Sequence, residues 1–461
     1  MEAKEVANIV STAKEYYWPH FAHDASWFDL STSIIASAEG PYMVDLQGNR
    51  LLDVSSAGGP YILGANHPEV MEAMFKQLKK VPGPCAPSFA STPALILLAE
   101  KLASISPGNM KYTIFSSNGT DANETAIKIA RNYWKLKGQG SKYKIIGRTR
   151  GYHGISLGTS AVSGHIFRRT PFEPLMGGVF HISAPFCYRC PYNMIHPECG
   201  MQCAQELRRT IEFEHPSTVA CFIAEPTIGG GGVIPPPPGY MKMVRGICDE
   251  YDVLMICDEV INGFGRSGYW FDSEKQGVVP DMLTMGKGIA AGCGPLAGTH
   301  VKPEIYEPFA GTKVLQHGYT YGGMGYLAAA GLAGIEYIEN NNLLARVRDL
   351  EPKIRKELEM IQNDSPIVGD VRVNGTMVAL ELVKDKKTKD QFPANEPYQG
   401  NLAVCQLAGQ VGFQNGVLMM CSPWYGNIFL YLLPLNIKDE ELDKIFNTTA
   451  IVLREIEKKF L

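Results

Sequence analysis

The chain contains no uninterrupted apolar run long enough to cross a bilayer, which excludes a helical membrane span. It also lacks a charge excess. Lysine and arginine number 43 against 47 aspartates and glutamates, a formal net charge of −4. So even a balance offers no electrostatic reason to expect nucleic acid or an anionic membrane as the main partner. The charged start, Met1-Glu2-Ala3-Lys4-Glu5, leads into no apolar stretch of signal-peptide length. Internal repeats are absent, and the only biased runs are Gly229-Gly230-Gly231-Gly232 and Pro235-Pro236-Pro237-Pro238, which read as loop. No dinucleotide fingerprint occurs, because Gly292-Cys293-Gly294 with Gly298 has the wrong spacing. A paired disulfide framework is missing as well. The eleven cysteines are odd in number, and several, such as Cys221 and Cys257, sit inside apolar runs. Free buried thiols suit a reducing compartment, so a cytoplasmic protein is expected.

What remains is ordinary globular composition, 45% hydrophobic and 20% charged over 461 residues, enough for two or three domains. Short apolar runs alternate with helix-periodic segments, which predicts an α/β fold with a largely parallel sheet. Lys144 to Gly147, Val219 to Ala224, Val253 to Cys257 and Met282 to Met285 read as buried strands. Each is followed by a polar residue: Arg148, Glu225, Asp258 and Lys287. Ligand sites in open α/β sheets lie beyond the carboxyl ends of strands, so these exits mark a candidate site. The segment Thr120 to Lys137 reads as a helix, with Ala126, Ile129, Ala130, Tyr133 and Trp134 on one face and a capped start at Asp121 and Glu124. Helical pattern returns in Leu327 to Tyr337 and Leu343 to Met360, and Met377 to Leu382 alternates as a strand. From about Gly325 onward this predicts a separate C-terminal α+β domain.

Three features carry chemistry. Lys287 stands between glycines just past a buried strand, where desolvation would make its amine a Schiff-base nucleophile; a lysine at the sheet's solvent edge is the plainer reading. Asp258 closes another strand and could bind a metal, act as a base, hold a cationic ring nitrogen, or simply cap a helix. Ser116-Ser117-Asn118-Gly119-Thr120 enters the long helix, so its amides would converge on an anion such as phosphate.

Taken in order, this helix start, Tyr152-His153-Gly154, Glu225-Pro226, Asp258-Glu259-Val260 with Gly263-Phe264-Gly265-Arg266-Ser267-Gly268, and Lys287 resemble the class III aminotransferases. Those are pyridoxal-phosphate enzymes of fold type I. His317 to Gly323 and Val368-Gly369-Asp370-Val371-Arg372 extend the resemblance from about Trp18 to the C-terminus. It implies a large domain at 71–325, with a smaller α+β domain built from residues 1–70 and 326–461. By the same resemblance Lys287 would form the Schiff base with pyridoxal 5′-phosphate and shuttle the substrate proton, and Asp258 would pair with the pyridine nitrogen. Tyr152 and Val260 would take the two ring faces, Gly119 and Thr120 the phosphate, and Glu225 the substrate side of the ring. Thr320 would reach the phosphate of a neighbouring subunit, implying a homodimer with shared sites, alone or paired into a tetramer. His153 is read as part of its turn and Arg266 as structural in its glycine loop.

The resemblance implies amino transfer from an ω-amino acid or amine to a 2-oxo acid by a ping-pong cycle. An amino-acid racemase, epimerase or aminomutase on the same scaffold is the alternative. The departure is Met420, which occupies the place of an arginine that many relatives use to hold the keto-acid carboxylate. A buried carboxylate needs a cation, and Arg150 and Arg168 are the candidate replacements. Gly58-Gly59-Pro60-Tyr61 replaces larger pocket residues and hints at a roomy site. Cys187, Cys190, Cys199 and Cys203 have the C-x2-C-x8-C-x3-C spacing of a zinc or iron–sulfur knuckle. Comparable insertions work without metal in relatives, so a reduced loop with no metal is expected.

Overall fold

The computed structural model describes residues 3–20, 34–85, 90–311, 313–394 and 399–461. Met1 and Glu2 of the charged N-terminal segment lie outside the described residues. Seven strands form the central sheet: β1 (Tyr112–Ser116), β2 (Lys144–Arg148), β3 (Val179–Ile182), β4 (Val219–Ala224), β5 (Leu254–Asp258), β6 (Met282–Met285) and β7 (Ala297–Val301). Their spatial order is β1-β7-β6-β5-β4-β2-β3. β7 is antiparallel to both neighbours, and the other strands run in one direction.

The continuous apolar runs of β4 and β5 follow from burial on both faces. Cys221, Ile223, Leu254 and Ile256 point to one side, where they pack with Ala126, Ile127 and Trp134 of the helix Gly119–Leu136. Phe222, Ala224, Met255 and Cys257 point to the other side, against Leu207, Ile211, Val244 and Ile247 of the helices Gln202–Glu214 and Tyr240–Glu250. Alternation with period two therefore sends one strand's side chains into two separate cores.

A second sheet of Val368–Asn374, Met377–Leu382, Asn427–Leu432 and Cys421–Ser422 is antiparallel throughout. It shares a core with Leu350, Ile354 and Leu358 of the helix Leu343–Asp364 and with Ile445, Val452 and Ile456 of the helix Asp439–Phe460. The two chain ends meet in a third sheet. Its meander, Ile35–Glu39, Tyr42–Asp45 and Arg50–Asp53, is extended by Val417–Leu418 lying parallel to Arg50–Asp53. The helix Gly325–Asn340, which the sequence reading places in the C-terminal domain, buries Leu327, Ile335 and Ile338 in one core with Val70, Leu98 and Met285. Its packing thus belongs with the large sheet.

The helix at the head of the sheet begins one residue earlier than expected and is capped differently. Asn118 is its N-cap, accepting the Asp121 amide at 3.0 Å. Glu124 instead accepts from the amide of Thr159 at 3.1 Å and from the hydroxyl of Ser156.

Arg266 ties the parts together. Fully buried, it donates from Nη2 to the carbonyl of Gly59 at 2.7 Å and from Nη1 to the carbonyl of Leu433. Its own carbonyl accepts from the amide of Thr376 at 2.8 Å. Burial pulls the guanidinium down to about 9, opposed by Asp53, a measure of how little water reaches it. Arg266→Met should orphan two buried carbonyls and lower stability by about 2–4 kcal/mol. Chemical denaturation would check this, and an unchanged midpoint would remove Arg266 from its bridging role.

Candidate active site

Because the parallel strands share a direction, their carboxyl ends collect along one edge. Ser117 to Gly119 leave β1, Glu225 follows β4, Asp258 ends β5, and Gly286-Lys287 follow β6. A cavity of about 650 Å³ opens there, lined by Gly119, Thr120, Tyr152, Glu225, Asp258, Val260 and Lys287 among others.

Asp258 is 3% exposed and lies at the centre of a hydrogen-bond set. Its Oδ2 accepts from Asn123 Nδ2 at 2.7 Å and lies 2.8 Å from His153 Nδ1, while Oδ1 accepts from the Val260 amide at 3.0 Å. Thr284 Oγ1 donates to Asn123 Oδ1 at 2.8 Å, which fixes the orientation of the amide. The next residue, Glu259, turns away from the cavity to accept from the amides of Asp272 and Ser273. Burial and the nearby Asp272 push its carboxyl up to about 8.

Glycine is required at the helix start. A Cβ on Gly119 would fall 2.7 Å from Val260 Cγ1, and one on Gly154 (φ +131°) would fall 2.7 Å from Thr120 Oγ1. The first helical amides consequently face the cavity without a side chain in the way, the arrangement that binds anions.

Lys287 is half-buried and holds a left-handed backbone (φ +44°), an unusual conformation for a residue with a side chain. Strain of this kind gathers at functional positions. Burial draws its amine below the usual lysine range, with Asp258 and then Glu225 opposing that effect. A Cβ on Gly59 (φ +110°) would stand 3.2 Å from Lys287 Cδ. The small residue that hints at a roomy pocket therefore makes space for the lysine stem.

Glu225 is buried, accepting from the Tyr152 amide at 2.9 Å and the Gly229 amide at 2.8 Å. Burial raises its carboxyl, and His153 opposes the rise. It fastens the Tyr152 turn to the glycine run as well as lining the cavity.

The family model for class III aminotransferases matches residues 26–453. The chain is a class III aminotransferase. A probable aminotransferase of Mycobacterium tuberculosis is 37% identical over 99% of this chain and 96% of its own length. An adenosylmethionine-8-amino-7-oxononanoate aminotransferase of Methanocaldococcus jannaschii is 36% identical, covering 96% and 97%. An omega-amino acid–pyruvate aminotransferase of Pseudomonas putida is 32% identical, covering 94% and 96%. Among solved structures, an (S)-enantioselective omega-transaminase of Thermomicrobium roseum superposes with a TM-score of 0.92 at 32% identity, over 99% of this chain and 100% of the other. The fold is that of the fold type I pyridoxal-phosphate enzymes, and this aminotransferase depends on that cofactor's chemistry.

Of the residues expected from the sequence to hold the cofactor, Thr320 alone stands apart from the cavity. It is exposed, on a loop held to the helix Gly119–Leu136. Tyr319 donates to the Asp121 carbonyl at 3.2 Å, and His317 Nε2 lies 2.7 Å from Thr125 Oγ1. Met420 is 37% exposed and does not line the cavity. The two candidate arginines separate. Arg150 places its guanidinium between the rings of Tyr425 (4.5 Å) and Phe186 (4.9 Å), and Arg168 lies over Tyr152 at 4.6 Å. Cys187, Cys190, Cys199 and Cys203 line one small cavity. Among the described residues, no three His, Cys, Asp or Glu side chains converge in a way that could hold a metal.

Sequence reasoning misses Asn123 and Thr284, and assigns His153 only to its turn. A signal for Asn123 is available: it shares the apolar helix face of Ala126 and Ala130, where a polar side chain needs a buried partner. In this aminotransferase Asn123→Ala should lower kcat about 10- to 100-fold through the loosened Asp258, with the circular dichroism unchanged. Steady-state kinetics would show it, and an unaltered kcat would exclude the positioning role.

Proposed function

We propose that this aminotransferase transfers the amino group of an ω-amino acid or amine to a 2-oxo acid such as pyruvate in a ping-pong cycle. The observation that carries this reading is the convergence of Lys287, Asp258 and the start of the helix Gly119–Leu136 on one cavity. The residues fit pyridoxal phosphate. The helix start, where a Cβ on Gly119 would clash with Val260, the buried carboxylate of Asp258 and the amine of Lys287 all line the one cavity. When bound, the cofactor supplies an aldehyde that takes up the amino group and a cationic ring that draws electrons from the substrate.

The amides of Gly119 and Thr120 would hold the phosphate. Asp258, oriented by Asn123, His153 and the Val260 amide, would accept the ring-nitrogen proton in a charge-assisted bond. Tyr152 and Val260 would enclose the two ring faces, which excludes water and fixes the plane of reaction. Glu225 would border the substrate side. The depressed basicity of Lys287 leaves more of its amine neutral near pH 7, able to attack a carbonyl carbon and to carry the substrate's Cα proton on Nζ.

Exposure supports a partner side to the site. Ile155, Leu157 and Tyr321 are 59%, 65% and 61% exposed, and Ile155 lines the cavity. Apolar side chains grouped around an active-site mouth call for cover. A homodimer with shared sites, alone or paired into a tetramer, would supply it and would bring Thr320 to the neighbouring cradle. No helix among the described residues is long and apolar enough to cross a membrane. The eleven cysteines form no disulfide, Cys405 and Cys421 meeting as thiols with sulfurs 2.7 Å apart, which supports work in the reducing cytoplasm. The named relatives are aminotransferases, and nothing favours the isomerase alternative.

Purified protein should show a long-wavelength absorption band that an amine or ω-amino acid bleaches and pyruvate restores. Loss of optical purity in an amino acid, with no net amino transfer, would overturn the reading. Lys287→Ala should abolish both turnover and the band, and wild-type activity in that variant would falsify the assignment. Thr320→Ala should weaken cofactor retention at least several-fold in equilibrium dialysis, and unchanged retention would argue against a shared site.

A further inference from the structure

Cys405 and Cys421 bring their sulfurs to 2.7 Å from each other, and the proposed reaction uses neither. They come from different elements. Cys405 lies near the start of the helix Leu402–Gln414, and Cys421 opens the strand Cys421–Ser422. That helix packs against the strand, and both cysteines are half-buried rather than sealed in the core.

A buried side chain holds the two together. Asn427, withdrawn from solvent on the adjacent strand, accepts from the Asn401 amide at 2.9 Å and donates to the Asn401 carbonyl at 2.8 Å. Its Nδ2 also donates to Cys405 Sγ at 3.2 Å. Asn401 in turn caps the helix, accepting from the amides of Ala403 at 2.9 Å and Val404 at 3.3 Å. One amide side chain therefore fixes the first turn and the thiol that follows it. The Cys421 thiol and then the Asn427 amide draw the Cys405 thiol below its usual range, while burial pushes Cys421 up. An acidic thiol near a helix N-terminus, with a second thiol in reach, can attack a disulfide and be resolved.

We propose that Cys405 and Cys421 form a reversible disulfide on exposure to a low-molecular-mass disulfide, fastening the edge of the smaller sheet to the helix Leu402–Gln414. The Cys405 thiolate attacks one sulfur of the small disulfide RSSR, whose S–S bond breaks to release RS⁻ and leave a mixed disulfide on Cys405. Cys421 gives up its proton and attacks Cys405 Sγ, and the second RS⁻ departs. The cysteine pair loses two electrons and two protons, and RSSR becomes two RSH. An S–S bond is about 2.05 Å long, so closure asks the sulfurs to approach by only about 0.7 Å.

The strand so fastened is two residues long and lies at the edge of its sheet. From it the chain runs to Tyr425, whose hydroxyl donates to the Gly164 carbonyl at 3.1 Å and accepts from the Ile166 amide at 3.0 Å. The same carbonyl accepts from the amide of Arg150, two residues before Tyr152 of the cavity. A bond at Cys421 thus pins a short strand whose continuation supports the active site.

The test treats the holoenzyme with glutathione disulfide and blocks the remaining thiols with iodoacetamide before digestion. Residues 390–438 end at Lys438 and hold no earlier lysine or arginine, so trypsin releases both cysteines on one peptide. That peptide should be lighter by two hydrogen atoms with neither cysteine alkylated, and dithiothreitol should restore both alkylation sites. Amide exchange across Met420–Tyr425 should slow about tenfold on oxidation of the wild type and stay unchanged in Cys405→Ser and in Cys421→Ala. Full alkylation of both cysteines in the treated wild type would overturn the proposal, as would glutathione retained on either one without the bond. A bond that forms while exchange stays unchanged would remove the fastening role.

Discussion

A carboxylate buried at the end of a strand is the constraint on which the rest of the site depends. Asp258 is withdrawn from water, and a charge so placed is tolerated only with donors around it. Those donors come from three different elements: Asn123 from the long helix, His153 from the turn after β2, and the Val260 amide from the loop after β5. Thr284 of β6 holds the Asn123 amide. Satisfying one side chain therefore sets the helix, the Tyr152 turn and two strands in register with one another. The same set points the surrounding groups into one cavity.

Much of this is legible in the order of the amino acids. The buried strands are continuous apolar runs because both faces of a parallel sheet are covered, and the polar residues after three of the four runs line the cavity, whereas Arg148 instead donates to the Glu225 carbonyl. Asp258, Glu225 and Lys287 are accessible to sequence reasoning for that reason. Asn123 and Thr284 are not, because their partners lie 135 and 161 residues away in the pairs they form, and no local pattern reports such distances. The helix cap falls three residues from its expected place because both Asn118 and Asp121 are good caps, and only backbone geometry separates them. The helix Gly325–Asn340 groups by pattern with the elements after it, since sequence adjacency does not show which sheet a helical face will cover.

The cavity also depends on parts far from it. Arg266 spans the N-terminal loop at Gly59, the turn at Leu433 and the hairpin at Thr376, and Gly59 in turn makes room for the stem of Lys287. The posture of this lysine is therefore coupled to the junction between the two chain ends. Tyr425 has a similar effect from the C-terminal sheet onto the segment bearing Arg168.

The strand order carries a consequence for assembly. Within the central sheet β1 pairs only with β7, the strand made last, and β7 joins it to β6. During synthesis β1 must wait while β2 to β6 emerge, and closing so long a loop costs entropy before any contact rewards it. The helix that follows β1 is held separately, against β4 and β5 and through Asn123 on Asp258, so it can dock before β1 is paired. The nascent chain can thus bury much of its sheet and set the helix start beside Asp258 while β1 itself still lacks its only neighbour.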